Sequence, residues 1–212
     1  MSIELHTPIG DEDIRKLHVG DTVLLSGIAV TGRDAAHKWL ADNFFHPRKE
    51  VSFEDKAAFA DLEKYLERGL IYHCGPVVSG LDTKQYKFVA AGPTTSIREE
   101  PYQAEIIRLF NLKGVIGKGG MGQKTLAGCQ EAPAVYFHAI GGAAALIAQT
   151  VRRVVAVYKY EFGVPEAMWV IEIEKLSAVV TMDAHGVSLH EQVRTNSEQR
   201  LRELLGDNNA GG

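Results

Sequence analysis

Apolar and polar positions change period several times along the chain, and the changes divide it into elements. Residues 22–30 (TVLLSGIAV) are a mostly apolar run broken by Gly27, which predicts a strand with an irregularity at the glycine. Thr31-Gly32-Arg33-Asp34 then feeds a helix. Phe59, Leu62, Tyr65 and Leu66 form one apolar face, predicting a helix over 52–68 that opens on Ser52 and Asp55, a capping box with Asp in place of the usual Glu. Residues 70–74 and 86–91 read as short strands, each stopped by Gly-Pro and expected to be neighbours in a β layer. Ile106, Ile107, Leu109 and Phe110 place an amphipathic helix over 102–112. A buried strand at 134–140 is followed by a helix from Gly141 to about residue 151. Strands at 167–173 and 178–182, a turn at 183–186 and a polar helix over 190–205 complete the pattern, with shorter helices near 10–14 and 122–129. The segment 43–58 reads as an insertion within one domain over 1–206, and 207–212 as a disordered tail.

Alternating strands and helices define an α/β class, and an apolar content of 45% in 212 residues supports a sizeable core. Net charge is −4 and no basic run is long, which argues against nucleic acid as a partner. Residues 134–151 are nearly uncharged. Gly141-Gly142, His138 and Arg152-Arg153 nevertheless make them a strand and a helix rather than a membrane span. The polar, acidic start (MSIELHTPIGDEDI) lacks the features of a signal peptide, so a cytoplasmic location is expected. Cys74 and Cys129 are far apart and in no CxxC pattern. They are too few for a disulfide framework, a four-cysteine zinc site or an iron–sulfur cluster.

Candidate chemistry concentrates in 92–122. Gly92-Pro93 leads into Thr94, Thr95 and Ser96, then Arg98. At the far end stands Gly117-Lys118-Gly119-Gly120-Met121-Gly122. Both have the composition of turns that aim backbone N–H groups and a cation at an anion, so a small acid could be held at both ends of the intervening helix. The glycine loop is not a nucleotide phosphate loop, because Gln123 stands before Lys124-Thr125 and shifts the register by one residue. Arg33 and Asp34 sit where α/β folds place ligands, although taken alone a helix cap by Asp34 beside a solvated Arg33 is the favoured reading. His138 reads as a satisfied core residue, and Asp183, His185 and Gly186 as turn residues. No HExxH and no carboxylate pair with metal spacing occurs.

Seven motifs appear in order: TGRDAAHK (31–38), CGPV (74–77), GPTTSIR (92–98), GKGGMG (117–122), YFHAIGGAAAL (136–146), FGVPEAMWVIEIE (162–174) and TMDAHGVSLH (181–190). In combination they resemble the β subunit of class I, iron–sulfur-dependent fumarate hydratase and of the similar L(+)-tartrate dehydratase. The same unit is the C-terminal domain of single-chain members. Two departures stand out: a longer stretch at 41–58, and Ser96-Ile97 where Ala-Gly is more familiar.

The resemblance implies a swivelling β/β/α domain with a mixed sheet, closing over a [4Fe–4S] cluster that three cysteines of an α subunit carry. The free iron of that cluster acts as a Lewis acid on a four-carbon dicarboxylate. It further implies an assembly of two α and two β subunits. Arg33 and Arg98 would grip carboxylates, Lys118, Thr95 and Gly119 would complete the substrate site, and Thr94 would be the base that moves the carbon-bound proton. An unassisted threonine is a poor base, and no partner for it is evident in the sequence. Fumarate hydration is the leading expectation. L(+)-tartrate or a methylated fumarate is the nearest alternative substrate, and a non-catalytic anion-binding domain is the alternative from another class.

Overall fold

A computed structural model describes residues 2–47 and 49–205, so the expected tail at 207–212 lies outside the described residues. The chain begins β1 (Ile3–His6), α1 (Asp11–Arg15), β2 (Thr22–Thr31), α2 (Asp34–Leu40), α3 (Phe53–Leu66) and β3 (Leu70–Tyr72). It continues β4 (Val77–Ser79), β5 (Lys87–Ala90), α4 (Glu100–Phe110), β6 (Gly114–Gly117), α5 (Gln123–Glu131) and β7 (Val135–His138). Then come α6 (Ala144–Ala148), β8 (Val151–Tyr158), β9 (Met168–Met182) and α7 (Leu189–Leu205). The fold is α/β with a mixed sheet, as expected.

Seven strands pair in the order β1-β2-β3-β6-β7-β9-β8, and β2 also pairs with β9. That extra ladder closes the sheet into a ring of β2, β3, β6, β7 and β9. Strands β1, β2, β3, β6 and β7 run parallel, while β9 is antiparallel to β2, β7 and β8. Neighbouring residues on one strand enter opposite clusters. Ala29, Leu70, Tyr72, Ile116, Phe137 and Trp169 pack on one side with the β4–β5 ribbon. Val30, Ile71, Val115, Tyr136 and Val170 pack on the other under α2, α3, α4 and α5. Burial on both faces explains why these strands read as continuous apolar runs.

Four details differ from the sequence reading. The strands at 70–74 and 86–91 are not laddered together: β3 lies between β2 and β6, whereas β5 pairs with β4, and only a Cys74–Pro93 bridge joins the two tips. The helix after Gly142 ends at Ala148, because the β-branched run from Val151 pairs with β9 as β8. Residues 167–173 and 178–182 form one strand. Glu172 and Glu174 point outward to Arg153 and Arg152, so the polar interval keeps its ladder past Lys175, whose φ is 55°. Short β1 and β4, each with one buried residue, carry too little alternation to be read. The Ser52 cap holds: Ser52 Oγ accepts from Asp55 N–H at 3.0 Å and itself donates to Asp55 Oδ2 at 3.0 Å. The carboxylate of Asp55 in turn accepts from Trp39 Nε1 at 2.9 Å and Lys159 Nζ at 2.8 Å, fastening the start of α3 to the end of β8.

Candidate active site

Parallel strands β2, β3, β6 and β7 all point the same way, so the turns that follow them meet at one crest. Ligands of parallel α/β sheets bind at such strand ends. Arg33 follows β2, His73 follows β3 and Lys118 follows β6. The segment after β5 returns across this crest as a short extended piece. Thr94 N–H donates to His73 O at 2.7 Å, Lys118 N–H to Thr94 O at 3.2 Å, and Ser96 N–H to Lys118 O at 3.1 Å. The two halves of the 92–122 stretch are therefore knitted together by their backbones, with Thr94 between His73 and Lys118.

The two arginines converge on one carboxylate. Asp34 Oδ2 lies 3.2 Å from Arg98 Nη2 and 3.9 Å from Arg33 Nη2. Arg33 Nη1 also pairs with Glu166 Oε1 at 3.2 Å, and Glu166 Oε2 accepts from Ala35 N–H at 3.1 Å in the first turn of α2. Arg33, not Asp34, is the residue that precedes α2, with no side-chain cap bond, and its side chain is only 21% exposed. A solvated arginine beside a capping aspartate is thus excluded. Gly75 leaves room for Arg33, since a Cβ there would lie 2.5 Å from Arg33 Nη1 and 3.0 Å from Cδ. Lys118 is half-buried, and Thr95 and Gly119 are exposed at the rim. Gly119 has φ +82°, a left-handed turn that a side chain would strain.

The glycine loop offers less than its composition suggested. Glu100 Oε2 accepts from Gly122 N–H at 2.8 Å and Thr125 Oγ1 at 2.6 Å, and Oε1 accepts from Lys124 N–H at 3.0 Å. The positive end of α5 is therefore filled by the chain's own carboxylate. Only the Lys118-Gly119 end remains for an external anion.

Among the described residues, the buried side-chain polar atoms without a partner are Arg33 Nε, Thr94 Oγ1, both carboxyl oxygens of Glu99, Gln103 Nε2 and His138 Nδ1. All lie at this crest or directly behind it. Glu99 is fully buried, and burial reinforced by the negative Asp34 raises its carboxyl to about 7 despite Arg98 and Arg33. His138, half-buried with an unpartnered Nδ1, is not the satisfied core residue its strand suggested. Behind the crest, His73 Nδ1 meets Ser96 Oγ at 2.8 Å, and Ser96 Oγ accepts from Tyr136 O–H at 2.8 Å. Gly117 makes room for this contact, because a Cβ there would overlap Ser96 Oγ and lie 2.8 Å from Tyr136 OH.

Asp34 as a shared partner, His73, Glu99, Gln103 and Glu166 were not singled out as site residues from sequence. One signal existed: Gln103, Ile106, Ile107 and Phe110 fall at i, i+3, i+4 and i+7, so a polar residue stands in the apolar stripe of α4. The thiols do not suit a cluster. Cys74 and Cys129 are buried in opposite hydrophobic clusters, and burial pushes each up to about 12, so neither offers a thiolate to iron.

Comparison with known proteins gives this geometry a family. Residues 1–193 match the family described as Fumarase C-terminus. A Geobacillus stearothermophilus protein provisionally named fumarate hydratase class I is 46% identical over 202 residues, covering 95% of this chain but 36% of the relative. This chain therefore spans about a third of that protein. A Methanocaldococcus jannaschii protein provisionally named L(+)-tartrate dehydratase subunit beta is 36% identical, with 92% of this chain and 94% of the relative covered. The L(+)-tartrate dehydratase subunit beta of Escherichia coli K12 is 34% identical over 87% of this chain and 85% of its own length. With nine-tenths of its length matched and two kinds of hydro-lyase among its homologues, the chain belongs to the Fumarase C-terminus family.

Proposed function

We propose that this chain is the β subunit of a cytoplasmic, two-subunit hydro-lyase that interconverts fumarate and malate. The observation that carries the proposal is that Arg33 and Arg98 meet on Asp34 at the crest where Thr94, its hydroxyl unpartnered, is bonded through its backbone to Lys118. In this reading two carboxylates of a four-carbon diacid are bound by the guanidinium groups and the ammonium. Removing a proton from the carbon beside a carboxylate loads negative charge onto that carboxylate. A preorganised cation there stabilises the transition state, with about 2.7–4 kcal/mol typical for one such donor. In this reading the Thr94 hydroxyl exchanges the carbon-bound proton once its own proton has passed to a base; Thr94 Oγ1 has no hydrogen-bond partner in this chain, so that base comes from the α subunit. Asp34 and Glu166 hold the arginines in place until the diacid displaces part of their pairing. The cluster belongs to an α subunit, since the two thiols of this chain are buried, and the family resemblance implies an assembly of two α and two β chains.

Tartrate dehydration is the second reading. It is favoured by the β-subunit names of the relatives that this chain spans almost end to end. Co-expression with the α subunit, anaerobic purification and a panel of fumarate, malate, tartrate and methylfumarate tests both. The expected result is hydration of fumarate by the complex and none by this chain alone. Activity on tartrate alone would replace the first reading with the second. Turnover by this chain without a partner would overturn both.

A further inference from the structure

His37 and His73 are fully buried, follow different strands and take no part in the chemistry proposed above. Their rings meet edge to face with centroids 5.0 Å apart. Gln103 of α4 lies between them, with Oε1 3.0 Å from His37 Nε2 and 2.9 Å from His73 Nε2, while its own Nε2 has no partner. The contacts determine where the protons are. His37 Nδ1 is 2.9 Å from Arg33 O, and a carbonyl only accepts, so Nδ1 carries a hydrogen. Were Gln103 Oε1 also an acceptor, His37 Nε2 would need a hydrogen too. The ring would then be an imidazolium, fully buried close to Arg33. Burial lowers the pKa of His37, and the same cause, with the positive Arg98 adding to it, lowers that of His73. A neutral His37 presents a bare Nε2, which needs a donor.

Turning the amide of Gln103 by 180° supplies that donor. Its NH2 then gives one hydrogen to each ring and is no longer unpartnered. The carbonyl oxygen left over is the less costly group to leave unpaired. His73 Nε2 becomes an acceptor, so its Nδ1 donates to Ser96 Oγ at 2.8 Å.

We propose that Gln103 is a positioning residue: its NH2 group clamps two neutral histidines and so holds the Arg33 turn in register with the Thr94–Ser96 turn. His37 secures the first through Arg33 O. His73 secures the second twice, through Ser96 Oγ and through its own carbonyl, which accepts from Thr94 N–H at 2.7 Å. The link to turnover rests on the hydro-lyase reading; the proton assignment stands apart from it.

The test has two arms. In the isolated chain, nitrogen-15 NMR of the imidazoles should show His37 and His73 as neutral rings protonated on Nδ1, unchanged from about pH 8 to about pH 5.5. A ring protonated on Nε2, or an imidazolium at pH ~7, would overturn the clamp. In the two-subunit enzyme, Gln103→Met should lower kcat by about ten- to a hundredfold while KM moves less than about threefold, the pattern of displaced reacting groups. Gln103→Glu keeps the shape but turns a donor into an acceptor. It should be at least as damaging as Gln103→Met and should move His37 toward the imidazolium. Wild-type kinetics in Gln103→Glu would mean that the carbonyl end faces the rings, and the proposal fails. A lower melting temperature with unchanged kcat in Gln103→Met would reduce Gln103 to packing and equally overturn it. An unmutated complex inactive on every diacid would refute the hydro-lyase reading while the NMR arm still decided the clamp.

Discussion

Glu99→Gln should stabilise the chain above neutral pH and leave it unchanged in acid. The Glu99 carboxyl is fully buried, has no hydrogen-bond partner on either oxygen and titrates at about 7 against an ordinary 4.5. Its folded-state pKa is raised, so the fold binds this proton more tightly than the unfolded chain does. The resulting stability is complete below about pH 4.5 and is lost as pH rises through about 7. A gap of about 2.5 units at ~1.36 kcal/mol each amounts to about 3 kcal/mol lost by pH ~8. Glutamine copies the protonated acid in shape and carries no charge. The difference in stability between Glu99→Gln and the unmutated chain should therefore be near zero at pH ~4.5 and about 1–3 kcal/mol in favour of the variant at pH ~8. Urea denaturation across that range measures it, and groups common to both proteins cancel in the difference. Asp34 is the second cause of the shift, so Asp34→Asn should shrink the pH span. A difference that stays flat with pH, or a variant less stable at pH ~8, would show that ionised Glu99 is held by Arg98 and Arg33, and would refute the reasoning. A group that costs stability at the crest of the sheet is what a functional site imposes, since packing alone would not keep it.

Three further outcomes follow from the geometry. Arg98→Lys should lower kcat/KM of the two-subunit enzyme by about ten- to a thousandfold, because an ammonium cannot reproduce a planar two-point grip. The same change at Arg152 or Arg153, whose partners Glu174 and Glu172 lie on β9 away from the crest, should have little effect. Equal losses at all three positions would point to general electrostatics. Thr94→Ala should cut kcat by about 10²–10⁴ with KM changed less than about tenfold, since the three cations remain. Exchange of solvent deuterium into malate at the unmutated rate would remove Thr94 as the base. Gly117→Ala should lower stability by about 1–3 kcal/mol, measured by thermal melting, because the added methyl meets Ser96 Oγ and Tyr136 OH. A melting temperature equal to that of the unmutated chain would mean that the serine contact is soft.

The fold was largely legible because its signals are local and strong. The apolar runs of β2 and β7, the cap at Ser52 and the stripe on α4 each report their own element within a few residues, whereas the short β6 is not legible as a strand. The failures have one physical source. Gly75-Pro76 and Gly92-Pro93 correctly mark the ends of strands, but composition cannot say which strand each one lies beside. Nor can it say that Lys175 bends β9 without ending it. The site divides along the same line. Arg33, Thr94, Arg98 and Lys118 carry the motif resemblance; the fold puts Arg33 and Lys118 after β2 and β6, and Thr94 and Arg98 on the segment that crosses that crest after β5. Their partners are a different matter. Asp34 reads as a helix cap until Arg98 is found 3.2 Å away, 64 residues on in sequence. The glycine loop reads as an open anion site until Glu100 is found to fill the start of α5. Whether a donor is free or already used depends on pairings between distant segments, and those pairings decide chemistry. A sequence can therefore nominate candidate cations without showing which of them are already paired. Only the assembled crest shows that Thr94 Oγ1 is buried without a hydrogen-bond partner in this chain, so a base to activate it would have to come from another chain.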